Sequence, residues 1–379
     1  MEDVLELIRS LVGMNTVSNQ STRSIADFLS NILEDSGFAI EQQVYRNAGV
    51  EKVNVVARKS GAEPKLALSG HLDTVPFDES DWLTDPLKLT ERDGRFYGMG
   101  VCDMKGFLAV AMCAGMRIAA DDLRYPFALV FTSDEEIGCV GAKQLIRKKE
   151  RLAEMIIIGE PTEFKPVFLH KGYIFLQVIL RGRRGHSSRP AEGANVIERA
   201  LPTVIHRLTE FKQAMERIRD ERLDPPYPTL NVGKVDSGQG SSKNIIADYC
   251  AIDIDIRPIP GQDIGEVVRS LQQHVAPTGV INDINVGVRF ARAPTPPFLI
   301  DPGAPIVRET VAMTEQSAVS TSFNTEAGVF SSRNTQVVVC GLGSIQQAHR
   351  PNEFLDARYL QDTMVDHYEA LIRRLCGKQ

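Results

Sequence analysis

Leu66-Ala-Leu-Ser-Gly-His71-Leu-Asp73 is a short apolar run that stops in an imidazole and a carboxylate. The pattern recurs along the chain. Phe127-Ala-Leu-Val-Phe-Thr-Ser-Asp-Glu135-Glu136 ends in two glutamates, Met155-Ile-Ile-Ile-Gly-Glu160 ends in one, and Val337-Val-Val-Cys leads through Gly341 to His349. Runs of this length read as buried strands, and helical segments such as Phe107 to Ala120 separate them. Strands alternating with helices predict an α/β fold with a mostly parallel sheet. In such open sheets ligands bind outside the carboxyl ends of the strands, so the segments that define the fold also deliver acids and imidazoles to one edge.

Outward from these strands, Met1 to Val12 places Val4, Ile8, Leu11 and Val12 at helical spacing among Glu2, Asp3 and Glu6. That predicts an ordinary first helix, since a signal peptide would carry a basic flank and an apolar core. Ile25 to Glu34 reads as a second helix that stops before Gly37. Residues 173–290 have a different grammar: strand Tyr173 to Leu180, helix, strand Thr229 to Val235, strand Cys250 to Arg257, helix, strand Ile284 to Phe290. This is a ferredoxin-like β-α-β-β-α-β order. Its first helix is expected to carry Ile197, Leu201, Val204, Leu208 and Phe211 on one stripe, while Ile252, Ile254 and Ile256 alternate with Asp253, Asp255 and Arg257 as in a half-buried strand. After Pro294 to Pro297 the α/β pattern resumes, with a helix at Ala304 to Thr314, a strand at Gln336 to Cys340 and a closing helix from Leu360 to Leu375. The expectation is one domain formed by residues 1–172 and 291–379, with 173–290 inserted into it.

A chain of 379 residues exceeds the size at which single cores stop growing, and its 43% hydrophobic and 24% charged residues are those of a globular protein. A net charge of -6 argues against a nucleic-acid partner, which would want a clustered basic surface; the run Arg181 to Arg184 is short and reads as a solvated strand end. The apolar stretch Phe107 to Ala120 is too short to span a bilayer and contains Arg117, so no membrane segment is expected. Six scattered cysteines without a C-x-x-C pair suit thiols in a reducing cytoplasm, and none is spaced as a zinc ligand.

Imidazoles and carboxylates together, without thiolates, suit zinc, manganese or cobalt, with zinc the default. Two histidines and three carboxylates are too many for one catalytic zinc that must keep a position open, and suit two divalent cations. Singly, a strand-end glutamate is more often a solvated group. The joint placement carries the inference.

Ser69-Gly-His71-Leu-Asp73-Thr-Val-Pro76, Gly98-Met-Gly-Val-Cys-Asp103-Met-Lys-Gly106, Ser133-Asp-Glu135-Glu136-Ile-Gly138, Gly159-Glu160-Pro-Thr162, Gly185-His186-Ser-Ser188 and Gly343-Ser-Ile-Gln-Gln-Ala-His349 resemble, in order, the signature of the dinuclear zinc peptidase and deacylase family that includes aminoacylase, carboxypeptidase G and acetylornithine deacetylase. The resemblance implies that Asp103 bridges two metals, that His71 and Glu160 complete one and Glu136 and His349 the other, and that the Asp103–Met104 peptide bond is cis. It implies Glu135 as general base, taking a proton from water and passing it to the leaving amine. Asp73 would stand behind His71, its carboxylate accepting the ring N–H that the metal leaves free. His186 would stabilise the oxyanion in a neighbouring subunit's site, which makes the inserted domain a lid and dimerisation domain and the protein a homodimer.

Asn244 and Arg257 match positions that face the substrate in relatives, and the Arg257 fork suits bidentate grip on the α-carboxylate of an N-acyl amino acid; an exposed salt bridge is the competing account. Asn324-Thr325-Glu326-Ala327, Trp82 to Lys105 and the segment following Gly343 look most like acetylornithine deacetylases. The function so implied is hydrolysis of N2-acetyl-L-ornithine in arginine biosynthesis, with Glu326 or a neighbour receiving the cationic side chain. Other acyl-amino-acid hydrolases, acting on succinyl-diaminopimelate, acetyl-citrulline or a dipeptide, share the motifs. A non-catalytic binding homologue would be expected to have lost Glu135 or a ligand.

Overall fold

The computed structural model describes residues 4–147, 151–238, 240–331 and 334–378. Two compact units emerge. The first comprises Met1–Phe168, Leu299–Val319 and Thr325–Gln379, and the second Leu169–Phe298 with Ser320–Asn324. The principal helices are α1 (Val4–Val12), α2 (Arg23–Asp35), α3 (Gly106–Met116), α4 (Val140–Arg147), α5 (Leu201–Met215), α6 (Ile264–Val275), α7 (Pro305–Thr314) and α8 (Asp362–Cys376). The principal strands are β1 (Ala39–Asn47), β2 (Val50–Lys59), β3 (Leu66–His71), β4 (Phe127–Thr132), β5 (Met155–Ile158), β6 (Ile174–Arg181), β7 (Thr229–Asp236), β8 (Tyr249–Arg257), β9 (Ile284–Phe290) and β10 (Gln336–Val339). Glu2 and Asp3, read as part of the first helix, lie outside the described residues.

In the first unit the sheet runs β1-β2-β4-β3-β5-β10. β3 pairs in parallel with β4 and β5, and β5 with β10, whereas β2 meets both β1 and β4 antiparallel. β3, β4 and β5 are buried along their whole length, as expected where both faces are covered. Helix α3 is apolar on every side, and each residue from Gly106 to Gly115 is buried. It stops at Arg117, whose guanidinium pairs with Asp362 and Asp366 of α8 at 2.7 Å each. Buried Lys59 at the end of β2 donates to the carbonyls of Gly115 and Ile118 at the C-terminal end of α3.

The second unit has the β-α-β-β-α-β order predicted, with its antiparallel sheet running β7-β8-β6-β9. Register pairs Ile254 with Leu176, Ile252 with Val178 and Cys250 with Leu180, so one face is continuous hydrocarbon. Val204, Leu208, Phe211 and Met215 of α5 and Val267, Leu271 and Val275 of α6 cover that face. One expectation fails here: Ile197 is 42% exposed. Pro202 opens a new helix after a short one at Val196–Arg199, with Ala200 outside helical geometry, so the stripe does not extend back to Ile197.

Among the described residues no helix is long and apolar enough to cross a membrane. All six cysteines are buried thiols.

The parallel strands converge closely where β5 and β10 end. A Cβ on Gly341 would lie 2.0 Å from the Gly159 carbonyl oxygen and 2.5 Å from that of Glu160, both backbone atoms that cannot swing aside. Gly341→Ala is expected to lower the unfolding free energy by about 1–3 kcal/mol or more in urea titration. Gly287→Ala, at a strand position with open space around it, is expected to change little.

Candidate metal centre

The strand-end residues lie at or just beyond the carboxyl ends of parallel strands whose apolar side chains are consumed by the core. His71 is the last residue of β3, Glu135 and Glu136 follow β4, and Glu160 follows β5. Asp103 reaches the same place from the turn before α3. His71, Asp103 and Glu160 offer one ligand atom each within 4.8 Å of one another, and so do Asp103, Glu136 and His349. Asp103 is common to both groups. The Asp103–Met104 peptide bond is cis.

His71 Nδ1 lies 2.8 Å from the backbone oxygen of Asp73, so that nitrogen carries the proton. Nε2 then faces Asp103 Oδ1 at 2.9 Å, lone pair to lone pair unless a proton or a metal cation stands between them. On the other side His349 Nε2 is 2.9 Å from Glu136 Oε2 and 3.7 Å from Asp103 Oδ2. Burial pushes the carboxyls of Glu135, Glu136 and Glu160 upward, and the neighbouring acids push the same way. Burial alone would lower His71, but Asp103, Glu160 and Asp73 outweigh it and raise it. A buried set of carboxylates that resist ionising together is the environment that divalent cations stabilise. The donor set of imidazole and carboxylate therefore fits two borderline or hard cations.

The structure reassigns Asp73. Its carboxylate stands 3.9 Å from His71 Nδ1, which instead donates to the Asp73 backbone oxygen. The carboxylate is occupied by two backbone donors, the N–H groups of Glu135 at 3.0 Å and Glu136 at 3.2 Å. Asp73 thus orients the glutamates directly and the imidazole only through its main chain. Glu135 Oε1 accepts a hydrogen bond from the Cys139 thiol at 3.2 Å.

Glu326 is 1% exposed, and its carboxyl is pushed up to about 7 by burial, against the lowering influence of Thr132 and His71. In the second unit, exposed His186 receives the Ser188 backbone N–H on Nδ1 at 3.2 Å, with Ser188 Oγ 2.7 Å away, which leaves Nε2–H as the outward donor. Asn244 is beside it, its backbone oxygen accepting from the Ser187 N–H at 3.0 Å. Arg257 is engaged with Asp255, Nε to Oδ1 at 3.0 Å and Nη2 to Oδ2 at 3.1 Å, the salt bridge that the sequence left open.

Glu353 was legible only as part of a motif, and its role is structural. Completely buried, it accepts the backbone N–H groups of Gly100, Cys102 and Asp103 at 3.0, 2.7 and 3.0 Å, holding the turn that presents Asp103. Gly100 allows that turn, with φ of +74° and only 2.6 Å between a would-be Cβ and Thr74 Cγ2. No local pattern announces that a glutamate near the end of the chain serves a turn 250 positions earlier.

Strands carrying ligand pairs around a shared aspartate define a metallohydrolase site, and the chain belongs to peptidase family M20/M25/M40, whose model matches residues 67–374. It is 33% identical to an acetylornithine deacetylase of Pasteurella multocida, over 99% of this chain and 97% of that protein. Among solved structures it is similar to an M20 family metallo-carboxypeptidase of Sulfolobus solfataricus, with a TM-score of 0.77 at 20% identity, covering 98% of this chain and 99% of that one. A dinuclear metal-binding peptidase of Bacillus subtilis matches with a TM-score of 0.67 at 14% identity, covering 98% and 97%. These structures share the fold.

Glu353→Ala would orphan three buried N–H groups. It is expected to lower the unfolding free energy by about 2 kcal/mol or more. Equilibrium dialysis should show metal affinity reduced roughly 10–100-fold, as for other groups that support a ligand from behind.

Proposed function

We propose that this chain hydrolyses the amide bond of an N-acyl amino acid, with N2-acetyl-L-ornithine, cleaved to L-ornithine and acetate in arginine biosynthesis, as the first candidate. The observation that carries the reading is the pair of ligand groups sharing Asp103 with Glu135 at their side. The likeness to a deacetylase along nearly the whole chain supports the substrate. His71, Asp103 and Glu160 would hold one divalent cation and Asp103, Glu136 and His349 a second, with zinc first and cobalt or manganese as alternatives. When bound, such cations polarise the scissile carbonyl and acidify the attacking water.

Glu135 takes the proton of that water and delivers it to the leaving nitrogen; its burial raises its proton affinity, which suits a group that must accept and then release. His186 donates Nε2–H to the oxyanion, in this reading from the partner protomer of a homodimer formed through the inserted domain, residues 173–290. Asn244 faces the substrate, and Arg257 grips its α-carboxylate by exchanging Asp255 for it. The setting would be the cytoplasm. A second reading, hydrolysis of succinyl-diaminopimelate, acetyl-citrulline or a dipeptide, would use the same ligand groups and the same Glu135.

Turnover on acetyl-ornithine, acetyl-norleucine, succinyl-diaminopimelate and dipeptides tests the substrate: a strong preference for acetyl-ornithine is expected, and equal kinetics on acetyl-norleucine would remove it. Glu135→Gln should retain its metal by elemental analysis while kcat falls roughly 10²–10⁴-fold. Arg257→Ala should weaken KM for the acid more than for its carboxamide; equal losses on both would sink the carboxylate contact.

A further inference from the structure

The turn that carries Glu135 and Glu136 is held by a second set of contacts from the antiparallel hairpin β1–β2. In the hairpin register Tyr45 stands opposite Lys52 and Gln43 opposite Asn54, so Tyr45, Asn47, Lys52 and Asn54 share one face. All four reach Ser133 or Asp134. Asn54 Oδ1 accepts the Ser133 N–H at 2.9 Å, and Tyr45 OH donates to the Ser133 oxygen at 3.0 Å. Asn47 Nδ2 donates to Asp134 Oδ2 at 2.9 Å. Lys52 Nζ lies 2.7 Å from Asp134 Oδ1, with both side chains at or below 1% exposure.

The Lys52 ammonium also donates to the carbonyls of Ser18 and Gln20, each at 2.8 Å. Ser18 Oγ in turn donates to Asp73 Oδ2 at 3.2 Å, and Asp73 receives the N–H groups of Glu135 and Glu136. The contacts close a circuit around the turn: Asp134, Lys52, Ser18, Asp73 and back to the two glutamates. Within it Asp134 adopts φ of +60°, a left-handed conformation that aspartate tolerates better than most residues and that the circuit holds in place.

A fully buried ion pair is poor value as a source of stability, because desolvating both charges offsets most of their attraction. Its geometric effect is not offset. We propose that Lys52 and Asp134 are positioning residues that set the placement of Glu135 through the Ser133–Glu136 turn. The inference rests on the reading of Glu135 as the general base.

The test is the double variant Lys52→Met/Asp134→Asn, which removes both charges and so leaves neither buried alone, with Asn47→Ala as a milder probe at a half-buried strand end. Steady-state kinetics on acetyl-ornithine, bound metal and melting temperature are measured for each. The expected result for the double variant is kcat per bound metal reduced roughly 10–100-fold with KM within about twofold, the pattern of a misplaced reacting group. For Asn47→Ala a loss of roughly 3-fold or more in kcat is expected at unchanged melting temperature. Wild-type kcat per bound metal in the double variant overturns the proposal. If that variant does not fold, wild-type kcat in Asn47→Ala overturns it instead. Glu135→Gln run alongside separates the two readings: if it is inactive while the double variant turns over normally, positioning alone falls, and if it turns over normally, the base assignment falls and positioning falls with it.

Discussion

Carboxylates buried side by side repel one another, and every feature of the first unit's sheet edge answers that repulsion. Asp103, Glu136 and Glu160 are brought within ligand distance of imidazoles, and burial beside other acids drives Glu136 and Glu160 toward their protonated forms. Such a cluster would fly apart in a flexible loop. It persists because Glu136 and Glu160 closely follow buried parallel strands and Asp103 sits on a turn that Glu353 anchors, so the cost of crowding is borne by the sheet and that anchored turn together.

The support around the acids is largely backbone N–H. Glu353 takes three such donors beneath Asp103, and Asp73 takes two beneath Glu135 and Glu136. The two carboxylates use one device, gathering main-chain dipoles and thereby fixing where a neighbouring acid points. The backbone is thereby fixed at Asp103, Glu135 and Glu136, and their side-chain torsions are what is left to adapt.

The strands and their terminal residues were legible because an apolar run ending in an acid is a local pattern, and the second unit's β-α-β-β-α-β order was legible through alternation such as Ile252, Ile254 and Ile256. Ile197 was misplaced because a periodicity of apolar residues continues through Pro202 while the helix does not. Glu353 and Lys52 went unread for a different reason. A buried lysine in a strand, or a glutamate near the end of a chain, acquires meaning only from partners far away in sequence. Asp73 was read as a partner of the imidazole, and the distinction between its carboxylate and its carbonyl is one of backbone path, which residue type does not encode. Glu326 carried no local sign of its burial.

The dependence of the Asp103 turn on Glu353 has a consequence for biosynthesis. During synthesis the strands bearing His71, Glu135, Glu136 and Glu160 leave the ribosome long before His349 and Glu353 exist, and the whole second unit is made in between. A nascent chain therefore carries a half-built, strongly acidic edge whose presenting turn lacks its anchor. The turn that presents Asp103 and the ligand group that includes His349 can be assembled only once the stretch carrying His349 and Glu353 has docked, which makes assembly of the site a late step.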